Sequence, residues 1–252
     1  MNYVLSLIPL TILFGLVPST VTYEAPIPPV LEQSVELPQL EVKPSQIAVS
    51  SPTEPVKEPD ITTSCVRYVV SKVPEAPLID AIDYPVNTIN PKVGDIIKLQ
   101  YYNATTSKFI YHIAYLEEIT EEGYKISQGN KPKNATSTET IKKDNDNIVG
   151  FFDVQLWREI QKLPQDLQDT LKCESNFSHY EHSAVKRGKD GEWGMGQFMK
   201  GTWKWFTDIR RNEHLPLLDI LNPYDQIKMM EWAFGKNLQS HWTCYDIVSS
   251  TD

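Results

Sequence analysis

At 252 residues the chain can hold one large domain or two small ones, and a hydrophobic fraction of 40% supports globular cores. A formal charge of -9, with no cluster of Lys and Arg, argues against a general nucleic-acid binder, which needs a basic face for phosphate. Eighteen prolines against eleven glycines are too many to be spread through packed elements, and their placement is uneven.

Tyr3 to Val17 is almost continuously apolar and is closed by Pro18 and Ser19, so residues 1–23 read as a signal peptide or a membrane anchor. No Lys or Arg precedes this run, and the first basic residue is Lys43, which leaves cleavage and anchoring both open. Residues 24–60 carry eight prolines and seven carboxylates against two lysines. Such a segment favours extended, self-repelling chain and is expected to act as a spacer.

From residue 61 to 153 the texture changes to short apolar or alternating runs, D-I-I-K-L-Q-Y-Y, F-I-Y-H-I-A-Y-L and Y-K-I-S-Q, which predict strands. V-R-Y-V-V before them fits helix or strand by pattern alone. Residues 154–248 read as helical. Leu156, Ile160 and Leu163 share one stripe and Leu167, Leu171 and Glu174 the next, and Asn222-Pro223-Tyr224-Asp225 supplies the cap, the proline and the first-turn acid of a further helix.

Two positions carry candidate chemistry. Cys65 follows the helix-capping residues Thr62-Thr63-Ser64, and a thiol in the first turn of a helix is easier to ionise. A thiolate nucleophile needs a base and an orienting group, and His112, Gln128 and Asn130 lie in or just after the following strands. A lone cysteine is also a common small core residue, and a lone histidine is commonly structural. Glu174 shares a helical face with Leu167 and Leu171, where a carboxylate would be desolvated and would hold its proton toward neutral pH, as a general acid must. Equally, the helix could end near Cys173 and turn Glu174 to solvent.

The five blocks S-C-V-R-Y-V, P-K-V-G-D-I-I, H-I-A-Y-L, I-S-Q-G-N and V-G-F-F resemble, in order and spacing, the CHAP domain of peptidoglycan amidases and peptidases. The resemblance implies an α+β papain-like fold, with Cys65 as nucleophile, His112 as base, and Gln128 and Asn130 completing the catalytic set. The family commonly has Glu where this chain has Gln128. A neutral amide still fixes the imidazole tautomer but stabilises imidazolium less.

The blocks C-E-S-N-F, G-E-W-G-M-G-Q-F-M-K-G-T-W, N-P-Y-D-Q-I and H-W-T-C-Y resemble the lysozyme-like domain of lytic transglycosylases and secreted muramidases. That resemblance implies an all-α unit in which Glu174 is the acid/base and Ser175, Gly194, Met195, Gln197, Phe198 and Tyr224 line the sugar cleft. The rings of Phe177, Phe198 and Trp203 read more as core beneath that cleft than as sugar contacts. It also implies a disulfide between Cys173 and Cys244, which leaves Cys65 as the free thiol. Hydrolysis by two carboxylates would draw on Glu181, Asp190 or Glu192, none of which the spacing singles out, whereas a transglycosylase needs only one Glu.

The expectation is therefore a multidomain chain, an α+β papain-like CHAP domain followed by an all-α lysozyme-like domain, secreted or membrane-anchored and facing the cell wall. Its partners would be peptidoglycan and the envelope surface, with no nucleic acid, no cofactor and no metal. A wall-binding or virion structural protein with silent sites is the competing reading, and a papain-like protease acting on proteins is a third.

Overall fold

The computed structural model describes residues 60–181 and 183–250, so the leader or anchor and the spacer expected over 1–60 lie outside the described residues except for Asp60. Asp60 caps a short 3-10 turn, Ile61–Thr63, and Ser64 then caps helix α1, Cys65–Lys72. V-R-Y-V-V is thus helical.

Five strands follow: β1 (Ile96–Asn103), β2 (Lys108–Ile119), β3 (Tyr124–Gly129), β4 (Thr136–Ile141) and β5 (Ile148–Phe152). They form one antiparallel sheet in the order β4-β3-β2-β1-β5. The β1–β2 register runs from Ile96 opposite Tyr115 to Asn103 opposite Lys108 without interruption, so the period of two assigns every side chain to a face. Ile96, Ile113 and Phe152 point to one face, and Ile97, Leu99, Ala114, Leu116, Ile126 and Phe151 to the other. The second face folds over itself. Tyr124 on β3 and Phe151 on β5 lie 5.0 Å apart between ring centroids, although three strand spacings would separate them by about 14 Å in a flat sheet.

Helices α2 (Val154–Ile160), α3 (Gln165–Ser175), α4 (Lys200–Asn212), α5 (Pro223–Gly235) and α6 (Thr243–Ser249) complete the fold. Four of the six positions in the stripes read from the sequence, Leu156, Ile160, Leu167 and Leu171, are 0% exposed, while Leu163 and Glu174 are partly buried. Helix α5 begins on the Asn222 side chain, which accepts the Tyr224 N–H, with Pro223 in its first turn.

Two expectations about architecture are corrected. The part after residue 154 is not all-α, because Tyr180–Glu181 (β6) and Ala184–Val185 (β7) pair as a small antiparallel sheet. Nor is there a separate helical domain, since the described residues fall within one compact unit, Pro55–Asp252. One core runs through both parts, from Val69, Tyr84, Ile113 and Phe152 to Trp157, Leu171, Phe198, Met230 and Trp242. The physical reason lies at the junction. Only Asp153 separates β5 from α2, and it is fastened on three sides: its N–H donates to Asn87 Oδ1 (2.6 Å), its Oδ1 caps Leu156 N (2.9 Å) and its Oδ2 accepts Tyr224 Oη (2.8 Å). Trp157 Nε1 donates to Glu75 O (2.7 Å), and the N–H groups of His179 and Tyr180 both donate to Val86 O. A mixed α/β body with a shared core results.

Candidate functional site

Cys65 is the first residue of α1, half-buried against the shared core and outside any disulfide. Burial, and after it the charge of the nearby Cys65, raise the pKa of the Tyr84 hydroxyl. Helix α1 packs on β2 and β3. Gly129 makes room for it, since a β-carbon there would lie 2.6 Å from Tyr68 Cβ and 3.1 Å from Ser64 O.

His112 belongs to the other side of the sheet. It stands opposite Leu99 and alternates with Ile113, so it shares the face of Ala114 and Leu116, whereas α1 covers the face of Ile113 and Tyr115. His112 Nε2 lies 2.8 Å from Gln128 Oε1, and Gln128 Nε2 donates to Glu139 Oε1 (2.7 Å) and to Ser137 Oγ (3.3 Å). A carboxylate only accepts, so the Gln128 amide is oriented by Glu139. Its oxygen must face the imidazole, which places the His112 proton on Nε2 and leaves Nδ1 as the basic atom. Lys131 Nζ closes the chain, 2.7 Å from Glu139 and 2.9 Å from Tyr101 Oη. Burial lowers the His112 pKa, so the ring is neutral at neutral pH. Asn130 stands apart from this network, with φ 61° and its Oδ1 accepting the Asn134 N–H. The structure therefore joins His112 to Gln128, and no hydrogen bond among the described residues joins Cys65 to His112.

Glu174 lies in the last turn of α3, which continues to Ser175 before Asn176 ends it at φ 51°. Its carboxylate is half-buried and accepts the Cys244 N–H in the first turn of α6 (Oε1, 3.3 Å). The Cys173–Cys244 disulfide ties the same two helices, with Cα atoms 5.7 Å apart. Burial raises the Glu174 pKa, the Cys244 N–H opposes that shift, and the charge of Glu192 adds to it. Of the three acids in the intervening loop, Glu192 is the one whose charge bears on Glu174. Gln197 joins it there: a β-carbon at Gly188 would lie 2.2 Å from Glu192 Oε2 and 2.5 Å from Gln197 Oε1. Glu192 and Gln197 thus meet at Gly188, and the charge of Glu192 reaches Glu174.

The other residues carried over with the lysozyme-like resemblance fall elsewhere. Ser175 Oγ turns inward to Leu171 O (3.2 Å), and Met195 and Phe198 are 0% and 2% exposed, under the loop rather than on it. Phe198 packs edge-to-face on Trp203 and Trp242. Tyr224 faces Asp153.

Gly194, expected to line the sugar cleft, packs instead on His179 and Gln226, and these two, which hold the loop, were not singled out from the sequence. Gly194 takes φ 67° where a β-carbon would collide with His179 and Gln226. Buried His179 accepts the Met195 N–H at Nδ1 (3.2 Å) and so donates from Nε2 to Leu221 O (2.9 Å), and its pKa falls to about 4. Gln226 accepts Gly196 N (2.8 Å) and donates to Trp193 O and Ile220 O, while Trp242 Nε1 donates to Gly196 O (2.7 Å). Gln226 had a readable signal: it precedes Met230 by four and Ala233 by seven on the buried face of α5, a polar side chain in an apolar stripe.

No family model, curated protein or solved structure matches this chain. Its functional reading therefore rests on its own residues. No group of three or more His, Cys, Asp or Glu side chains suited to a metal occurs among the described residues, and no described helix is long and apolar enough to cross a membrane.

Proposed function

We propose that this chain cleaves the glycan strands of peptidoglycan, with Glu174 as the general acid and base. The observation that carries the reading is the half-buried Glu174 carboxyl, raised in pKa by burial and by the charge of Glu192 and held at the start of α6. A carboxyl in that setting keeps a proton for the glycosidic oxygen at a pH where an exposed Glu has lost it. Glu174 protonates the glycosidic oxygen as that bond breaks and the acetamido oxygen of the same sugar attacks C1; the sugar's C6 hydroxyl then displaces the acetamido oxygen and gives its proton to Glu174, which leaves a 1,6-anhydro end and needs no second acid. Direct attack of water would use Glu192 as base and leave reducing ends. The anhydro route is the one proposed. Glu174→Gln keeps an oxygen to accept the Cys244 N–H while removing the proton, so it separates catalysis from helix capping. Release of new glycan ends from isolated cell walls by the variant should fall roughly a hundred- to ten-thousand-fold; wild-type release would overturn the reading.

A second activity, cleavage of the stem-peptide amide or a peptide bond by Cys65 with His112, is supported by the place of Cys65 at a helix start and by the fixed tautomer of His112. It requires the thiol and Nδ1 to meet, and the sheet now stands between them. Release of stem peptides that is unchanged in Cys65→Ala would remove this activity from the proposal. If neither substitution affects wall clearing, the binding or virion-structural reading stands in its place.

A further inference from the structure

Lys98 is only 9% exposed, yet no ion pair reaches it among the described residues. Its ammonium is held by two neutral carbonyls, Ile82 O (2.6 Å) and Tyr84 O (2.7 Å), and sits 5.3 Å from the centroid of the Tyr111 ring. Lys186 is half-buried and is held by a single carbonyl, Ser175 O (3.0 Å). Both line one cleft of about 200 Å³, with Gln100, Tyr111, Ser178 and Tyr180. Burial depresses the pKa of both ammonium groups. Glu181 also lines the cleft and its charge reaches Lys186, and the charge of Asp83 reaches Lys98, but neither acid closes an ion pair with them among the described residues. Carbonyls satisfy hydrogen bonds and cancel no charge. A chain of formal charge -9 thus keeps one buried and one half-buried ammonium in one polar cleft, a setting that favours an anion with two acceptor oxygens.

The position of the cleft narrows the choice of anion. Lys186 reaches the carbonyl of the residue after Glu174, and its own carbonyl accepts the Gly194 N–H (2.8 Å) at the loop that carries Gln197. A ligand carboxylate on Lys98 and Lys186 would lie beside the Glu174 site. We propose that this cleft binds a free carboxylate of the short peptide attached to the glycan strand, so that the enzyme reads peptide-bearing strands. The substrate class rests on the glycan-cleaving reading; the cleft itself does not.

Calorimetry on the full chain tests this, with a synthetic stem tripeptide bearing free carboxylates, the same peptide with its carboxylates amidated, and sodium acetate as probes. Binding of the free peptide should weaken about tenfold or more on amidation and in Lys186→Gln. Lys98→Met leaves two carbonyls without their donor and is subject to misfolding, which is why the half-buried Lys186 carries the test. No binding of the free peptide, equal binding of the amidated form, or wild-type affinity in Lys186→Gln would overturn the proposal, as would acetate binding as tightly as the peptide. If Glu174→Gln releases new glycan ends normally, the glycan reading fails whatever the calorimetry gives. Failure of the calorimetry with Glu174→Gln inactive removes the peptide site alone.

Discussion

Two carboxylates near one another do not share one pKa, and the Glu174–Glu192 pair gives this a measurable sign. Removing the negative charge at position 192 makes ionised Glu174 less unfavourable, so its pKa drops. In Glu192→Gln the alkaline limb of the pH–rate profile should therefore move to lower pH, whichever route the cleavage takes. If water attacks directly with Glu192 as base, the plateau rate should fall as well, by roughly a hundredfold. An alkaline limb that does not move would separate Glu192 from Glu174.

His179 supplies a prediction for folding. Its pKa is about 4 in the folded chain against 6.5 when free, so between those values the unfolded chain binds a proton that the folded one refuses. The stability it contributes is complete above about pH 6.5 and is lost as pH falls toward about 4, by about 3 kcal/mol in total. Asp95 works in the opposite direction: burial raises it from 3.8 to about 6, so the folded chain gains stability as pH drops through that range. The two effects partly cancel in the raw curve. The difference between wild type and His179→Gln in urea unfolding, taken from pH 7 to pH 4, isolates the histidine. Wild type should lose ground to the variant as pH falls, and parallel curves would contradict the assignment.

At the scale of elements, α3 and α6 act as one piece. The Cys173–Cys244 bond closes a loop with a sequence separation of 71 residues, for which chain entropy gives about 4 kcal/mol at most. Reduction should lower the melting temperature. It should also cut glycan cleavage at temperatures where the fold survives, because the Cys244 N–H that positions Glu174 is carried by the bonded residue. Activity that tracks only the folded fraction would reduce the bond to a staple.

Local chemistry made most elements legible. The Asn222-Pro223 start of α5, the stripes of α2 and α3 and the Ser64 cap before Cys65 follow from capping and periodicity alone. The relation between Cys65 and His112 was half legible. Alternation in F-I-Y-H-I-A-Y-L assigns His112 to the side of Ala114 and Leu116, but which side α1 covers is decided by packing at Gly129 and Tyr115, which no local pattern encodes. Gln128 illustrates the same limit. It reads as a lost charge in sequence, yet in space it passes the imidazole on to Glu139, eleven residues away.

For the whole molecule, the change of texture at 153/154 is real as secondary structure and misleading as a boundary. A true linker would show polar, Pro- or Gly-rich residues there, and Asp153 alone separates Phe152 from Val154. The shared core means that a fragment starting at Val154 would expose the apolar surfaces of Leu156, Trp157 and Ile160. Such a fragment should lack the cooperative melting and dispersed amide spectrum of the full chain. A fragment that folds and cleaves glycan by itself would restore the two-domain arrangement.

The most direct measurement is mass spectrometry of purified peptidoglycan digested by the full chain and by Glu174→Gln at matched folded concentration. Wild type should release muropeptides with new glycan ends, of the anhydro form, and Glu174→Gln should release almost none while melting at the wild-type temperature. Intact glycan after wild-type digestion, or equal release by the variant, would contradict Glu174 as the acid of a glycan-cleaving enzyme.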